Sequence, residues 1–181
     1  MKIINTNPDN LDKKQISETV TRVKGFIIND KNQILLAWSH NAPQLPGGHA
    51  ENGEGLTDTL KREVLEETGI ELDDKEIVSH FLQRNYFKKD YPQLGKNRLS
   101  IIEYFYIKSN KLPNANKTNF TPEEIQNNFN VKFVGFDRFE EVIVRYLKNN
   151  PKDIYSVIAE EILLAFNCLK KYIEKQNQIE Y

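Results

Sequence analysis

The sequence has a single cysteine, Cys168, so no disulfide can close within the chain. That fits a reducing compartment and removes the small disulfide-stapled folds from consideration. Cys168 lies in an apolar helical pattern and reads as packing. An excess of one charge is also missing: 25 Lys and Arg stand against 26 Asp and Glu, a formal net charge of -1. Such a chain has no general pull toward duplex DNA or an anionic membrane. Binding a small phosphorylated molecule needs only local positive charge or a metal, so that class stays open. No window approaches the ~20 apolar residues of a membrane span. The opening Met1-Lys2-Ile3-Ile4-Asn5 lacks the apolar core of a signal peptide. A cytoplasmic location is therefore expected. Internal repeats and domain-dividing linkers are absent too.

What is present suits one domain over residues 1–181, with 39% hydrophobic and 28% charged residues. Residues 1–18 are polar and read as a loose N-terminal arm or an added edge strand. Val20 to Ile28 is rich in β-branched residues, Asn29 to Asn32 is a turn, and Gln33 to Trp38 is the returning strand of a hairpin. His40 to Pro46 is a loop. A helix is expected from about Gly55 to Thr68, stopped by Gly69. Glu76 to Phe87 and Arg98 to Ile107 are two longer strands, and Val131 to Phe136 a short one. A helix follows from about Phe139 to Leu147. Pro151 is expected to open a C-terminal helix over 151–176, with Ile158, Ile162, Phe166, Leu169 and Ile173 on its buried face. The pattern is an α/β fold with a mixed sheet flanked by helices.

The chemistry concentrates in the helix after Gly55. Leu56, Leu60 and Val64 step by four and define an apolar stripe. At about 100° per residue, Glu63 and Glu67 fall within that stripe and Glu66 borders it. Spacings of three and four bring the three carboxylates close enough to share one ligand. A solvated acidic helix end is the plain alternative. Against it, carboxylates at a helix C-terminus oppose the dipole, and clustered like charges on an inward face repel unless a cation compensates them. Oxygen-only donors favour a hard ion such as Mg²⁺ or Mn²⁺.

Residues Gly48 to Ile70 resemble the Nudix box of the Nudix hydrolase superfamily. Gly48, Glu54, Arg62, Glu63, Val64, Glu66, Glu67, Gly69 and Ile70 fill every defined position. Chance gives such a match on the order of once in ten million chains, so the box outweighs the plain reading. The resemblance implies a Nudix-like α/β/α sandwich with an added C-terminal helix. It implies a Mg²⁺- or Mn²⁺-dependent hydrolase that cuts a pyrophosphate bond in a nucleoside diphosphate linked to a further group. Glu63, Glu66 and Glu67 then match the metal-binding carboxylates, one of them a candidate base. Glu54 matches the glutamate that supports the metal shell, and the backbone carbonyl of Gly47 or Gly48 is a further ligand candidate. Arg62 pairs with Glu66 at i+4 and orients it.

Outside the box, relatives supply one more acid from a late loop, and Glu123 and Glu124 are the candidates here. Their alternative is a helix start after Pro122 with acids in its first turn. Glu103 shares a strand face with Leu99, Ile101, Phe105 and Ile107, where it is either hydrogen-bonded structurally or reads the substrate. Arg84, Tyr86 and Trp38 are candidate substrate contacts, with core packing as the competing role for the aromatics. His49, at a free position of the box, suits the surface.

The substrate itself is open. Many ADP-ribose pyrophosphatases of the superfamily carry a proline about fifteen residues beyond the box, where this chain has Asn85. The coenzyme A pattern ahead of the box is absent. Tyr86 falls near a tyrosine of some dinucleoside polyphosphate hydrolases. The expected partner is a small nucleotide, with room for a homodimer. Two rival classes remain: a non-catalytic Nudix-fold nucleotide sensor, which loss of box carboxylates would favour, and an isomerase, for which Cys168 is poorly placed.

Overall fold

The structure is a computed structural model and describes residues 1–151 and 153–179, without the side chains of Glu123 and Ile179. The described residues form seven strands: β1 (Lys2–Thr6), β2 (Glu18–Ile28), β3 (Gln33–Ser39), β4 (Ala42–Gln44), β5 (Ile77–Lys88), β6 (Arg98–Lys108) and β7 (Asn130–Gly135). Among the described residues four α-helices accompany them: α1 (Leu56–Thr68), α2 (Pro122–Gln126), α3 (Phe139–Asn149) and α4 (Ser156–Ile179). The strands form one mixed sheet in the order β1-β5-β6-β2-β3-β4, with β7 also paired to β3. β2 runs parallel to β6 along its length, from Glu18 opposite Arg98 to Ile28 opposite Lys108. β5 and β6 are antiparallel, with a bulge between His80 and Leu82 that re-aims the residues after it.

Alternation along the strands sorts side chains onto two faces. Val23, Ile27, Leu35, Phe105 and Ile107 point to one side, where they pack on Leu60 and Val64 of α1. Phe26, Ile28, Ile34, Leu36, Ile102 and Tyr104 point to the other, where α3 and α4 cover them. This is the expected α/β/α sandwich. In the second core the Phe166 ring lies 4.6 Å from that of Phe139 and 5.0 Å from that of Phe136, centroid to centroid. A buried aromatic of this kind is worth about 3–5 kcal/mol against alanine, so Phe166 fastens α4 to the sheet.

One local alternative is decided and two local outcomes differ from the sequence reading. Of the two alternatives for the N-terminus, the edge strand is formed: β1 pairs parallel with β5. The loop after β3 contains the short strand β4, which carries Pro43 at the sheet margin where its missing N–H costs little. The last helix begins at Ser156, not Pro151. The Asp153 carboxylate accepts from Tyr146 Oη (2.7 Å) and from the Tyr155 N–H (2.9 Å), which holds a turn where the helix was expected to start.

Candidate active site

Helix α1 carries its acids to the edge of a cavity of about 520 Å³ that lies between the sheet, α1, α2 and α4. The helix ends at Gly69, which adopts φ 70° and donates its N–H to Leu65 O at 2.8 Å. Two further carbonyls of the last turn are capped from the loop that follows β6: Asn114 N–H meets Thr68 O and Asn119 N–H meets Glu66 O, both at 2.9 Å. These bonds fix the turn that bears Glu66 and Glu67. Leu60 and Val64 on the same stripe are fully buried. The helix therefore cannot rotate its carboxylates away from the cavity without exposing leucine and valine.

Glu63, Glu66 and Glu67 all line the cavity, and so do Gly47 and Gly48. Glu67 is the deepest of the three, 7% exposed, and its Oε2 accepts the Gly47 N–H at 2.7 Å. Burial pushes its pKa up to about 7, against the pull of Lys24 and of the Gly47 N–H. Burial also raises Glu63, opposed by Arg62. The loop can approach because it is glycine: a Cβ on Gly48 would lie 2.2 Å from Glu63 Oε2, and one on Gly47 2.3 Å from Val23 O. Gly47 also has φ +126°, which side-chain-bearing residues rarely adopt.

Arg62 ties the box together. Its Nε and Nη2 each donate at 2.9 Å to the two oxygens of Glu54, a bidentate pair. Nη1 donates to Glu63 Oε1 (2.8 Å) and Glu66 Oε2 (3.2 Å), and Nη2 also donates to His49 O (3.0 Å). The Arg62–Glu66 pair is thus formed, but Glu54 is the stronger partner. Arg62 in turn holds Glu54 down to about 2. Glu54 also accepts from Thr59 Oγ1 (2.8 Å) and from the Glu51 N–H (3.1 Å). It is not part of the cavity wall; it anchors the arginine that orients Glu63 and Glu66.

Among the described residues, no three acidic, histidine or cysteine side chains already converge as a metal shell. The carboxylates turn instead to Arg62 and to the Gly47 N–H. Their chemistry nevertheless fits a hard divalent ion: three carboxylates of adjacent turns, all oxygen donors, face one cavity beside glycine backbone.

The late acids divide. Glu124 lines the cavity, on the short helix α2. It also serves the helix start, since its Oε2 accepts from Thr121 N–H (2.7 Å) and Thr121 Oγ1 (2.9 Å), while its own N–H donates to Thr121 Oγ1 (3.2 Å). The helix-start reading is met by these bonds, and the same side chain also lines the cavity. The side chain of Glu123 lies outside the described ones.

The four proposed substrate contacts are not brought to the cavity wall. Glu103 is on the opposite sheet face from Ile102 and Tyr104, both of which line the cavity. It is 6% exposed and bonded to His80 Nε2 at 2.7 Å, while His80 stacks on Phe105. Of its two alternatives the structural one matches this placement. Arg84 lies behind the wall, its Nη1 3.0 Å from Oε1 of Glu161, which does line the cavity. Tyr86 sits beside Arg84 and Lys88, whose cationic groups lie 5.4 and 5.3 Å from its ring centre. Trp38 is covered by Lys132, whose Nζ is 4.5 Å from its ring centre.

In their place the cavity presents Arg22, Lys24, His49, Tyr155 and Glu161. Arg22 Nε donates to His49 Nε2 at 2.9 Å, and burial with the neighbouring Arg22 keeps His49 below its usual pKa. His40 and Tyr155 stack with centroids 4.8 Å apart at the rim. One sequence signal did mark this wall. In Thr21-Arg22-Val23-Lys24-Gly25, two cations alternate with a fully buried valine, so both belong to the face opposite α1.

The family model for the NUDIX domain matches residues 19–157. Two curated relatives, both called nucleoside diphosphate-linked moiety X motif 6, are similar over part of the chain. The one from Xenopus laevis is 38% identical over 79 residues, 44% of this chain and 32% of its own length. The one from Mus musculus is 35% identical over 60 residues, 33% of this chain and 18% of its own. This chain therefore matches about a third or less of either relative. Among solved structures, a Caenorhabditis elegans Ap4A hydrolase in a binary complex superposes with a TM-score of 0.52 at 14% identity, covering 86% of this chain and 98% of that one. That likeness shows a shared fold. With a complete box on α1 and its preceding loop, and a family match over most of its length, the chain belongs to the Nudix hydrolase superfamily.

Proposed function

We propose that the protein hydrolyses a pyrophosphate bond in a nucleoside diphosphate linked to a further group, with Mg²⁺ or Mn²⁺ as cofactor. One observation carries the reading: Glu63, Glu66 and Glu67 open onto the same cavity as Arg22, Lys24 and Arg62. Acids that suit a divalent ion thus face Arg22, a cation that suits phosphate oxygens, while Arg62 is engaged by carboxylates and Lys24 by the carbonyls of Leu45 and Gly47. The names of the two curated relatives point to the same substrate class.

A bound divalent ion would neutralise charge on the phosphoanhydride and acidify the attacking water. Glu63, Glu66 and Glu67 would hold it. The chain's own groups do the rest. Arg62 fixes the directions of Glu63 and Glu66 through its three carboxylate partners. One of Glu63, Glu66 and Glu67 serves as the base that takes the proton of the attacking water. Arg22 faces the cavity with a charge that can bind a phosphate oxygen. The stacked His40 and Tyr155 offer a flat surface at the rim for a base. Among the described residues no helix is long and apolar enough to cross a membrane, and we place the enzyme with small nucleotides in the cytoplasm.

The test is a panel of nucleoside triphosphates, nucleotide sugars, dinucleoside polyphosphates and capped RNA, incubated with Mg²⁺ or Mn²⁺ and analysed by mass. The reading expects at least one conjugate to be split into a nucleotide and a phosphorylated remainder. Tight binding without cleavage of any member would overturn it in favour of a nucleotide sensor.

A further inference from the structure

The cavity also has acids from outside α1. Glu124 caps the start of α2. Glu161 comes from α4, which packs on the sheet face opposite α1. Its side chain is 15% exposed, and its Oε1 lies 3.0 Å from Nη1 of Arg84 behind the wall. That approach is too poorly aligned for a hydrogen bond: Nε and Nη1 of Arg84 have no hydrogen-bond partner among the described residues. Arg84 therefore balances the charge of Glu161 without using up its oxygens as acceptors. Burial raises Glu161, and Arg84 leads the cations that oppose the rise. The neighbouring wall is apolar. Ile158 and Ile162 recur at a spacing of four on α4, and Tyr155 stands just ahead of the helix, stacked on His40. Glu161 interrupts this strip about one turn beyond Ile158.

A carboxylate repels phosphate oxygens, so the group it meets belongs to another part of a nucleotide. An apolar strip with a carboxylate at its edge suits a base that lies flat and presents N–H groups at its rim. The bases differ in what they present. Guanine offers two adjacent donors, N1–H and the N2 amino group, which match the two oxygens of one carboxylate. Adenine and cytosine set an amino donor beside a ring-nitrogen acceptor, and uracil sets one N–H between two carbonyls. Each of these three brings a lone pair against the acid. We propose that Glu161 is a specificity-determining residue of this cavity, accepting N1–H and N2–H of a guanine base laid on Tyr155, Ile158 and Ile162. This rests on the hydrolase reading above for the reaction; the base preference is a property of binding and stands without it.

The alternatives are a structural pair with Arg84 only, or a carboxylate that holds the ribose hydroxyls. The measurement is calorimetric binding of GMP, IMP, 2′-deoxy-GMP and AMP to the whole chain with Mg²⁺; these monophosphates carry no anhydride to be cut. The wild type should bind GMP about tenfold or more tightly than AMP, the discrimination a bidentate pair supplies. IMP, which lacks the N2 donor, should fall between them, and 2′-deoxy-GMP should match GMP. Glu161→Gln keeps the shape but pairs one acceptor with one donor, the complement of adenine. It should weaken GMP about tenfold and tighten AMP, with circular dichroism checking the fold. Equal affinities for GMP and AMP in the wild type overturn the proposal, and that result needs no folded variant. A loss on 2′-deoxy-GMP as large as that on AMP assigns the carboxylate to the ribose and overturns it too. So does an equal fall for GMP and AMP in folded Glu161→Gln, the mark of a structural pair. Failure of the hydrolase reading would show instead as no cleavage in the conjugate panel, with the guanine preference intact.

Discussion

Arg62 grips Glu54 with one edge of its guanidinium, Nε to Oε1 and Nη2 to Oε2, each at 2.9 Å. This pair spans the loop before α1 and the middle of the helix, so the glutamate acts at a distance from the cavity. Glu54→Gln should cost about 1 kcal/mol, a fall of roughly 2–4 °C in melting temperature for a chain of this size. Its pH dependence has a fixed sign. The folded-state pKa is depressed to about 2, so the stabilisation is present above the ordinary carboxylate range and is lost as pH falls toward 2. Melting curves of wild type and variant should therefore converge on acidification. A gap that stays constant down to pH 2 would remove the charged pair as its cause.

The deepest acid gives the second prediction. In Glu67→Gln the side-chain carbonyl can still accept the Gly47 N–H, so the loop should stay in place. The lost charge should lower kcat by about 10²-fold or more, as removal of a positioned electrostatic group commonly does. Glu63→Gln should behave alike. Steady-state kinetics with saturating Mn²⁺ on a cleaved conjugate checks this, and wild-type rates in both variants would refute the assignment.

Glu124 has two jobs that mutation can part. Thr121→Ala removes the cap of α2 but leaves the cavity acid, whereas Glu124→Ala removes both. Each should destabilise by about 1 kcal/mol, the usual worth of a helix cap. Only Glu124→Ala should also lower kcat, by about tenfold. Equal rates in the two variants would return Glu124 to a capping role alone.

Much of this was legible in the sequence, for identifiable reasons. The α1 stripe of Leu56, Leu60 and Val64 fixes which helix face turns inward, and the glutamates follow from spacing. Strands β2, β3, β5, β6 and β7 were read from residue type and alternation, and their ends shift by only a residue or two in the structure, whereas β4 was read as loop. Alternation also placed Glu103 with Phe105 and Ile107. It could not say which sheet face the cavity would use, and that choice separates Glu103 from the site. Pairing across the fold was hidden as well. Glu161 stands beside Ile162 on an otherwise apolar stripe, and nothing local announces that Arg84, 77 positions earlier, will meet it. The start of α4 was misjudged because Pro151 is a good first helical residue, while the turn that wins depends on Tyr146 reaching Asp153.

The Arg84–Glu161 pair provides the fourth prediction. Both side chains are largely removed from solvent, at 11% and 15% exposure. Arg84→Met should destabilise by about 3 kcal/mol, since it leaves a buried carboxylate without its partner. Adding Glu161→Gln should recover much of that loss. Denaturant titration of the single and double variants measures the coupling, and strict additivity would show that the two residues act independently.

The central claim is that this carboxylate-lined cavity directs water to a phosphorus atom of a nucleotide anhydride. The most direct measurement is hydrolysis in ¹⁸O-enriched water with Mn²⁺, using a conjugate that the panel shows to be cleaved, with products resolved by mass. The account predicts one ¹⁸O on a phosphoryl group of a single product, none on carbon, and no turnover when a chelator replaces the metal. Label on a sugar carbon, or undiminished turnover in chelator with metal excluded, would contradict it.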